Sequence, residues 1–436
     1  MQLTKYKLGE LIDVRRGASL AGEYYATEGE LMRLTLGHFD YQGGGFKDNT
    51  SKDNLYFTGF VKPEFILNEG DIITPLTEQT PGLLGSTAMI PESGKYIQSQ
   101  DVALIIPDET KLDRNFCYYL LPSKIVKQQL AAGAQQTKIR HTTPDRIKDL
   151  TVFIPDLSNQ KAIGQLLRNI DREIALNREI NRNLEAMARQ LYDYWFVQFD
   201  FPDEDGRPYK SSGGKMVWNE KLKRYIPEGW KDCILHRYIG RITNGLNPRQ
   251  NFVLGTGANY YVSIRSLVGR DINWESCEKC DDLALAKINS RSQLKCGDVI
   301  FSAIGTIGRT YYIQEDPHNW NISETSFAIR PSKEIPSSFF YELLISPEIQ
   351  LQADKNAMGS TMRCLVMDAL CKIPTMDIPI DVINEFNTII APIHNSLYER
   401  NIEKRKLHKL RDTLLPLLMN GQVSVMPTEI NCDLSE

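Results

Sequence analysis

No stretch of this sequence stays apolar for the roughly 20 residues that span a bilayer, so no membrane-spanning helix is expected. The opening MQLTKYKLGE has no apolar signal core, which argues against export and for a cytoplasmic location. Cysteine is sparse. Eight in 436 residues are too few for a disulfide-held scaffold, and free thiols are expected. An excess of basic charge is also missing. The formal net charge of −4 excludes a simple DNA-coating protein. It leaves room for a reader with local basic patches, because the field that matters is local.

Catalytic signatures are absent too. A phosphate-binding loop needs Gly-x-x-x-x-Gly-Lys-Ser/Thr, and GTIGRT (305–310) lacks both the spacing and the lysine. An amino-methyltransferase loop needs Asn/Asp-Pro-Pro-aromatic, and NPRQNF (247–252) has one proline. PDETK (107–111) has the letters of a metal nuclease crowded into one turn. Cys277 and Cys280 form a CxxC, but only Cys296 and His318 lie nearby, at spacing that does not suggest zinc. The six histidines are scattered, so no Ser-His-Asp arrangement can be argued. No catalytic residue and no metal site is expected in this chain.

What is present is a repeat. YKLGELIDVRRG (6–17) parallels CILHRYIGRITNG (233–245), with Leu8 matching Leu235 and Gly17 falling close to Gly245. NEGDIITPL (68–76) matches KCGDVIFSA (295–303), where Gly-Asp makes a turn into an apolar strand. GAQQTKI (133–139) parallels GSTMRCL (359–365), and VFIPDL (152–157) parallels MDIPID (376–381). The offset stays between 222 and 228 residues, and four matches in one order outweigh any single one. Each half therefore reads as a strand-rich block followed by a long helix.

The first helix is expected from about Asn159 to Val197, with Ser158 as N-cap. Its stripe is Ile163, Leu167, Ile170, Ile174, Ile180, Leu184, Met187, Leu191 and Tyr194, interrupted by Asn177. Steps of three and four give a coiled-coil seam. The second helix is expected between Asp381 and Asn420, with Phe386, Ile389, Ile393, Leu397, Leu407, Leu410, Leu414 and Leu417 as its stripe. Pro392 is expected to bend it or to start it. Each helix of roughly 40 residues would run about 60 Å, which outruns a small domain. Helix pairing between the blocks is therefore preferred over a plain domain core. The Gly-, Pro- and Ser-rich stretch between the halves (201–230) reads as a linker.

The remaining polar and basic residues fall near strand ends and loops. In the first block they are Arg15, Arg16, Gln135, Gln136, Lys138 and Arg140; in the second, Arg249, Arg265, Arg309, Thr361 and Arg363. Arg reads guanine and Asn or Gln reads adenine in the major groove, while Lys and Thr hold phosphates. An ordinary solvated face would also carry such residues. Their occurrence in both repeated blocks favours DNA.

With the tandem pattern, GDIITPL and GDVIFSA, GSTMRCL, IPEGW (226–230) and the closing NIEKRKLHKLRDTLLPLLMNGQVSV (401–425), the chain resembles the specificity subunits of type I restriction-modification systems over essentially its whole length. The resemblance implies an α+β architecture. Two strand-rich target-recognition domains in tandem pseudo-repeat are separated by two long antiparallel coiled-coil helices. The implied bounds are a first domain at 1–155, a spacer helix at 156–200, a linker at 201–229, a second domain at 230–378, a second spacer helix at 379–422 and a tail at 423–436. It further implies that each domain reads one half of a bipartite, asymmetric site in double-stranded DNA. Two methyltransferase subunits and two restriction subunits would dock on the chain. S-adenosylmethionine, ATP and Mg would belong to those partners, and no cofactor to this chain. GAQQTKI departs from the family's more usual Gly-Ser/Thr-Thr. Two other readings fit the composition: a non-catalytic protein scaffold built on the coiled coil, and a self-contained DNA-modifying enzyme.

Overall fold

The computed structural model describes residues 1–40, 44–78, 82–133, 140–249, 251–360 and 362–425. Gln135, Gln136, Lys138 and Thr361 lie outside the described residues. The chain divides into two compact units, one of residues 1–175 and 405–436, the other of residues 176–404.

In the first unit Thr4–Lys7 pairs antiparallel with Thr151–Ile154, closing the strand-rich part onto the start of the first long helix. A four-stranded sheet has the order Ile12–Arg16, Val102–Pro107, Ile72–Pro75, Ala88–Met89. A smaller sheet has the order Tyr25–Ala26, Tyr56–Phe57, Met32–Arg33, Tyr96–Ile97, with its last pair parallel. Helices Arg114–Leu120, Lys124–Gly133 and Pro144–Lys148 complete the unit.

The second unit repeats this plan. Lys231–Ile234 pairs with Pro374–Asp377. Its four-stranded sheet has the order Ile239–Asn244, Ser326–Pro331, Val299–Ser302, Thr310–Tyr312. Asn259–Val262 runs parallel to Trp320–Ile322, as Met32–Arg33 does to Tyr96–Ile97. Helices Ser337–Ile345, Pro347–Asn356 and Met367–Cys371 follow in the same order. Among its added elements are the helix Asp282–Ser292 and the hairpins Met216–Asn219/Arg224–Pro227 and Leu267–Val268/Asp271–Ile272.

The glycines of the matched motifs have matching work. Gly70 and Gly297 adopt φ +83° and +91°, a region that favours glycine. Each turn closes alike: Asn68 N–H donates to Asp71 Oδ2 (2.8 Å), and Lys295 N–H to Asp298 Oδ2 (2.9 Å). A Cβ on Gly17 would sit 2.3 Å from Ser99 O, and one on Gly245 only 1.9 Å from Ile322 O. Both strands thus pass too close to a neighbouring backbone for any side chain. One step in the repeat offset, from 227 at Leu8 and Leu235 to 228 at Gly17 and Gly245, has a local cause. Cross-strand register slips between Ile239 and Arg241, so the second block carries one extra residue, Gly240, as a bulge.

The first long helix spans Leu157–Tyr192 and runs on through a π-helical turn, Asp193–Val197. Ser158 is not its cap. Asp156 is, with Oδ1 accepting from Asn159 N–H (3.0 Å), because the chain enters the helix at Leu157 and so puts Ser158 inside the first turn. These bonds hold the Asp156 carboxyl below its ordinary pKa.

Ile163, Leu167, Ile170 and Ile174 are buried as expected, and Leu184 and Leu191 are half-buried. Met187 and Tyr194 face outward. Asn177 does not interrupt the seam. It occupies a seam position and is buried, as is Asn181 four residues on. The buried positions 163, 167, 170, 174, 177 and 181 keep the steps of four and three without a break.

The second long helix, Ile380–Met419, is continuous through Pro392, whose ring lies on the exposed side where neither core packing nor the seam is disturbed. Phe386, Ile393 and Leu397 are buried, and Leu407, Leu414 and Leu417 are half-buried. Leu410 and Ile389 are exposed, so the seam near the end runs instead through Leu414, Leu418 and Met419. In the first unit Ile163 and Leu167 share a core cluster with Leu418 and Met419. In the second, Tyr192 and Phe196 share one with Phe386 and Ile390. The helices run antiparallel.

The stretch between the halves is more than a linker. Phe201 and Ile226 are buried, and Phe201 stacks on Trp230 (centroids 5.2 Å) and on Tyr209 (4.9 Å). Asp200 accepts from the N–H and hydroxyl of Ser211 (both 2.7 Å). Its aromatics supply the burial that its glycines and prolines do not.

Candidate nucleic-acid interface

In each unit the strand that leaves the Gly-Asp turn runs into a loop, and this loop is zipped to the segment preceding a short helix. In the first unit Thr77–Glu78 pairs with Arg140–His141, and Thr142 N–H donates to Leu76 O (2.8 Å). In the second, Ile304 bridges Cys364, Gly305 N–H donates to Arg363 O (2.8 Å) and Leu365 N–H to Ala303 O (2.8 Å). In each unit the end of the Gly-Asp strand is thus held against the residues that lead into the short helix, Arg140–Thr142 in the first and Arg363–Leu365 in the second.

The tips of these loops are built differently. Glu78, buried, accepts at Oε2 from the backbone N–H groups of Gly82, Leu83 and Leu84 (3.0, 2.9 and 3.0 Å). Arg140 lies 3.6 Å from its other oxygen. Lys127, its ammonium pushed down in pKa by burial, donates to Gly82 O (3.1 Å). The second tip uses a hydroxyl in place of the carboxylate. Ser302 Oγ donates to Thr306 O (2.6 Å) and accepts from Arg309 N–H (2.8 Å). Met358 and Cys364 exchange backbone hydrogen bonds (2.9 and 2.8 Å) around Gly359. This hairpin leaves Met358 and Met362 exposed.

The expected DNA-binding residues sort into two groups. Arg309 donates to Ile264 O and Leu267 O (3.0 and 3.1 Å), fastening the turn that displays Arg265. Arg363 is bound to Asp354, and Arg15 to Asp13 (3.0 Å). Arg16 donates to Gln100 O (2.9 Å). These four are engaged within the protein, Arg15 along its own strand and the other three with more distant residues. Arg249 and Arg265 are exposed in the second unit, Arg265 on the one-turn helix Ile264–Ser266. Glu78 and Ser302, which organise the tips, were missed. A lone Glu or Ser carries no sequence signal, though Ser302 ends one Gly-Asp strand and Glu78 lies three residues beyond the other.

The comparisons with known proteins point one way. Residues 2–186 match the family described as type I restriction modification DNA specificity domain. A type I restriction enzyme specificity subunit of Escherichia coli is 24% identical over 89% of this chain and 80% of its own length. One of Haemophilus influenzae is 22% identical over 82% and 87%. Over most of its length the chain is thus similar to type I restriction enzyme specificity subunits, and its residues 2–186 carry the match to that specificity domain.

An S subunit from M. genitalium shares the fold, with TM-score 0.59 at 17% identity over 96% of each chain. In the second unit a cleft of about 450 Å³ is lined by Arg182, Glu185, Arg189, Arg270 and Glu342, whose charges largely offset one another. Cys277 and Cys280 are buried, and burial raises both thiols above their usual pKa. Among the described residues no group of three or more His, Cys, Asp or Glu could hold a metal ion. Nor is any described helix long and apolar enough to cross a membrane.

Proposed function

We propose that this chain is the non-catalytic, sequence-reading subunit of a type I restriction-modification complex. Each unit reads one half of an asymmetric, bipartite site in double-stranded DNA. The helix pair sets the spacing between the half-sites and offers the docking surface for two methyltransferase and two restriction subunits. S-adenosylmethionine, ATP and Mg belong to those partners.

The observation that carries this reading is a shared frame bearing two different tips. Matching turns and ladders present Glu78 and Arg140 in one unit, and Ser302, Met358 and Met362 in the other. Equal scaffolds with unequal loops suit two unequal half-sites, since bases are read by the side chains that reach their edges. A helix pair fixes a separation that a flexible linker could not, and half-sites one turn of DNA apart lie about 34–36 Å centre to centre.

Methylation mapping in cells carrying the chain and its methyltransferase partner tests the proposal. Modification confined to one bipartite sequence, and lost without the chain, is expected. An active partner that methylates no chain-dependent sequence sinks it and favours a protein-only scaffold. S-adenosylmethionine binding by the isolated chain would favour a self-contained enzyme.

A further inference from the structure

Asn177 and Asn181 are 2% and 7% exposed in a seam otherwise made of Ile and Leu. Both meet polar groups on the facing helix. Arg400 Nη1 donates to Asn177 Oδ1 (3.0 Å), and Asn177 Nδ2 donates to Glu403 Oε2 (3.2 Å). Asn181 Nδ2 donates to Asn401 Oδ1 (2.9 Å), which also accepts from Lys404 Nζ (2.9 Å). Lys404 Nζ lies 3.6 Å from Asp271 Oδ2, tying the layer to the strand-rich part of the same unit. Asn181 Oδ1 accepts nothing, so apolar side chains here would be at least as stable.

The layer lies at the same depth in both helices. Asn177 and Arg400 stand equally far from the first residues of their helices, Leu157 and Ile380, yet one supplies a neutral amide and the other a cation. The contact is thus made by unlike partners. It is also specific in register. A seven-residue slip one way puts Leu407 and Leu410 where Arg400 and Glu403 stand; the other way puts Ile393 in place of Arg400. Either slip keeps the seven-residue period and takes Asn177 away from both Arg400 and Glu403, the second leaving only Ser396 at the place of Glu403. A buried amide in a coiled-coil seam is a known way to fix register at some cost in stability.

We propose that this polar layer sets the register of the two long helices and, with it, the spacer of the recognised site. The second part rests on the function proposed above. The positioning residues are Asn177, Asn181, Arg400, Asn401 and Glu403.

The test replaces Asn177, Asn181 and Asn401 together by Leu, with folding checked by circular dichroism. Spin labels carried by unnatural amino acids at exposed Glu179 and Glu399 read the register directly. The natural chain gives one distance population and one spacer length in methylation mapping. The triple variant is expected to give a second distance population and a second class of methylated sites. Their spacer differs by about 3 base pairs, the length of seven helical residues along B-DNA. Exchanging the contact, Asn177→Arg with Arg400→Asn, is expected to keep a single class. If the triple variant does not fold, Asn181→Leu with Asn401→Leu carries the same expectation. A folded variant with one distance population and an unchanged spacer overturns the proposal, since apolar packing alone would then set the register. If the natural chain directs no bipartite methylation, the proposed function fails, while the label distances still decide the role of the layer.

Discussion

In the first unit Tyr119, on the Arg114–Leu120 helix, donates to Asp171 of the first long helix (2.5 Å), and Arg411 of the second long helix donates to the same carboxylate (3.0 Å). In the second unit the equivalent positions are Glu342, on the Ser337–Ile345 helix, and His394 of the second long helix, 3.0 Å apart. Arg270 donates to Glu342 from across the unit (3.0 Å). The clamp between strand-rich part and helix is in the same place, but the carboxylate has changed sides. The repeat has kept the contact and exchanged its chemistry. Such a change needs both partners and the arginine to alter together, because a buried carboxylate left alone is costly.

The sharpest way to break this comparison is to remove the two clamps separately. All five tryptophans lie between residues 195 and 320, in the second unit, so their fluorescence follows that unit alone. Glu342→Ala strands the Arg270 guanidinium beside a neighbouring cavity and is expected to destabilise the second unit by about 3 kcal/mol. The check is an earlier tryptophan transition in urea. Tyr119→Phe removes one hydrogen bond, while Asp171 keeps Arg411; about 1.5 kcal/mol is expected, read by hydrogen exchange in the first unit. A shift of the tryptophan transition by Tyr119→Phe would show that the units do not unfold separately.

The paired glycines come next. Gly17→Ala and Gly245→Ala each drive a methyl into a backbone carbonyl, and about 2–3 kcal/mol is expected from each, confined to its own unit. Gly245→Ala should be the worse, its clash being closer. Equal and negligible losses would mean that both strands can move aside.

The tips sharpen the comparison at the level of DNA. Glu78→Gln weakens the three backbone bonds that shape the first tip, at about 1–2 kcal/mol. Arg309→Met frees the Ile264–Leu267 turn in the second, at about 1 kcal/mol. Each is expected to relax one half of the methylated sequence and spare the other. Relaxation of both halves by either variant would contradict one tip per half-site.

What the sequence made legible follows from how local each signal is. Gly-Asp turns, close-approach glycines and helical periodicity act within a few residues, so the repeat, both long helices and the α+β plan could all be read. Ser158 and Asp156 are equally good caps on paper, and only the chain's path into the helix chooses between them. Asn177 reads as a break until the facing helix supplies Arg400 and Glu403. Pro392 reads as a start until the helix is seen to run through it from Ile380 to Met419. Among the candidate site residues, Arg309 and Arg363 looked free because their partners lie elsewhere in the chain. Distant carbonyls and carboxylates leave no mark beside the arginine they bind.

The smallest expected effect isolates a contact that one unit has and the other lacks. Asp13 is bound by Lys148 (2.6 Å) and Arg15 (3.0 Å), and these bonds lower its carboxyl from 3.8 to about 2. In the second unit the cross-strand register puts Arg241 opposite Arg330, where the first has Asp13 opposite Ile106, so a cation stands at the equivalent place. A folded-state pKa below the unfolded value stabilises the fold above the unfolded pKa, and this contribution is lost as pH falls through about 4 towards 2. The Asp13 side chain is 45% exposed, and screening reduces its worth to below about 1 kcal/mol. Asp13→Asn should therefore lower the stability of the first unit slightly at pH 7, and the difference from the natural chain should vanish near pH 2. Tryptophan fluorescence should show no change at either pH. A difference that persists at low pH would assign the effect to hydrogen-bond geometry and not to the charge.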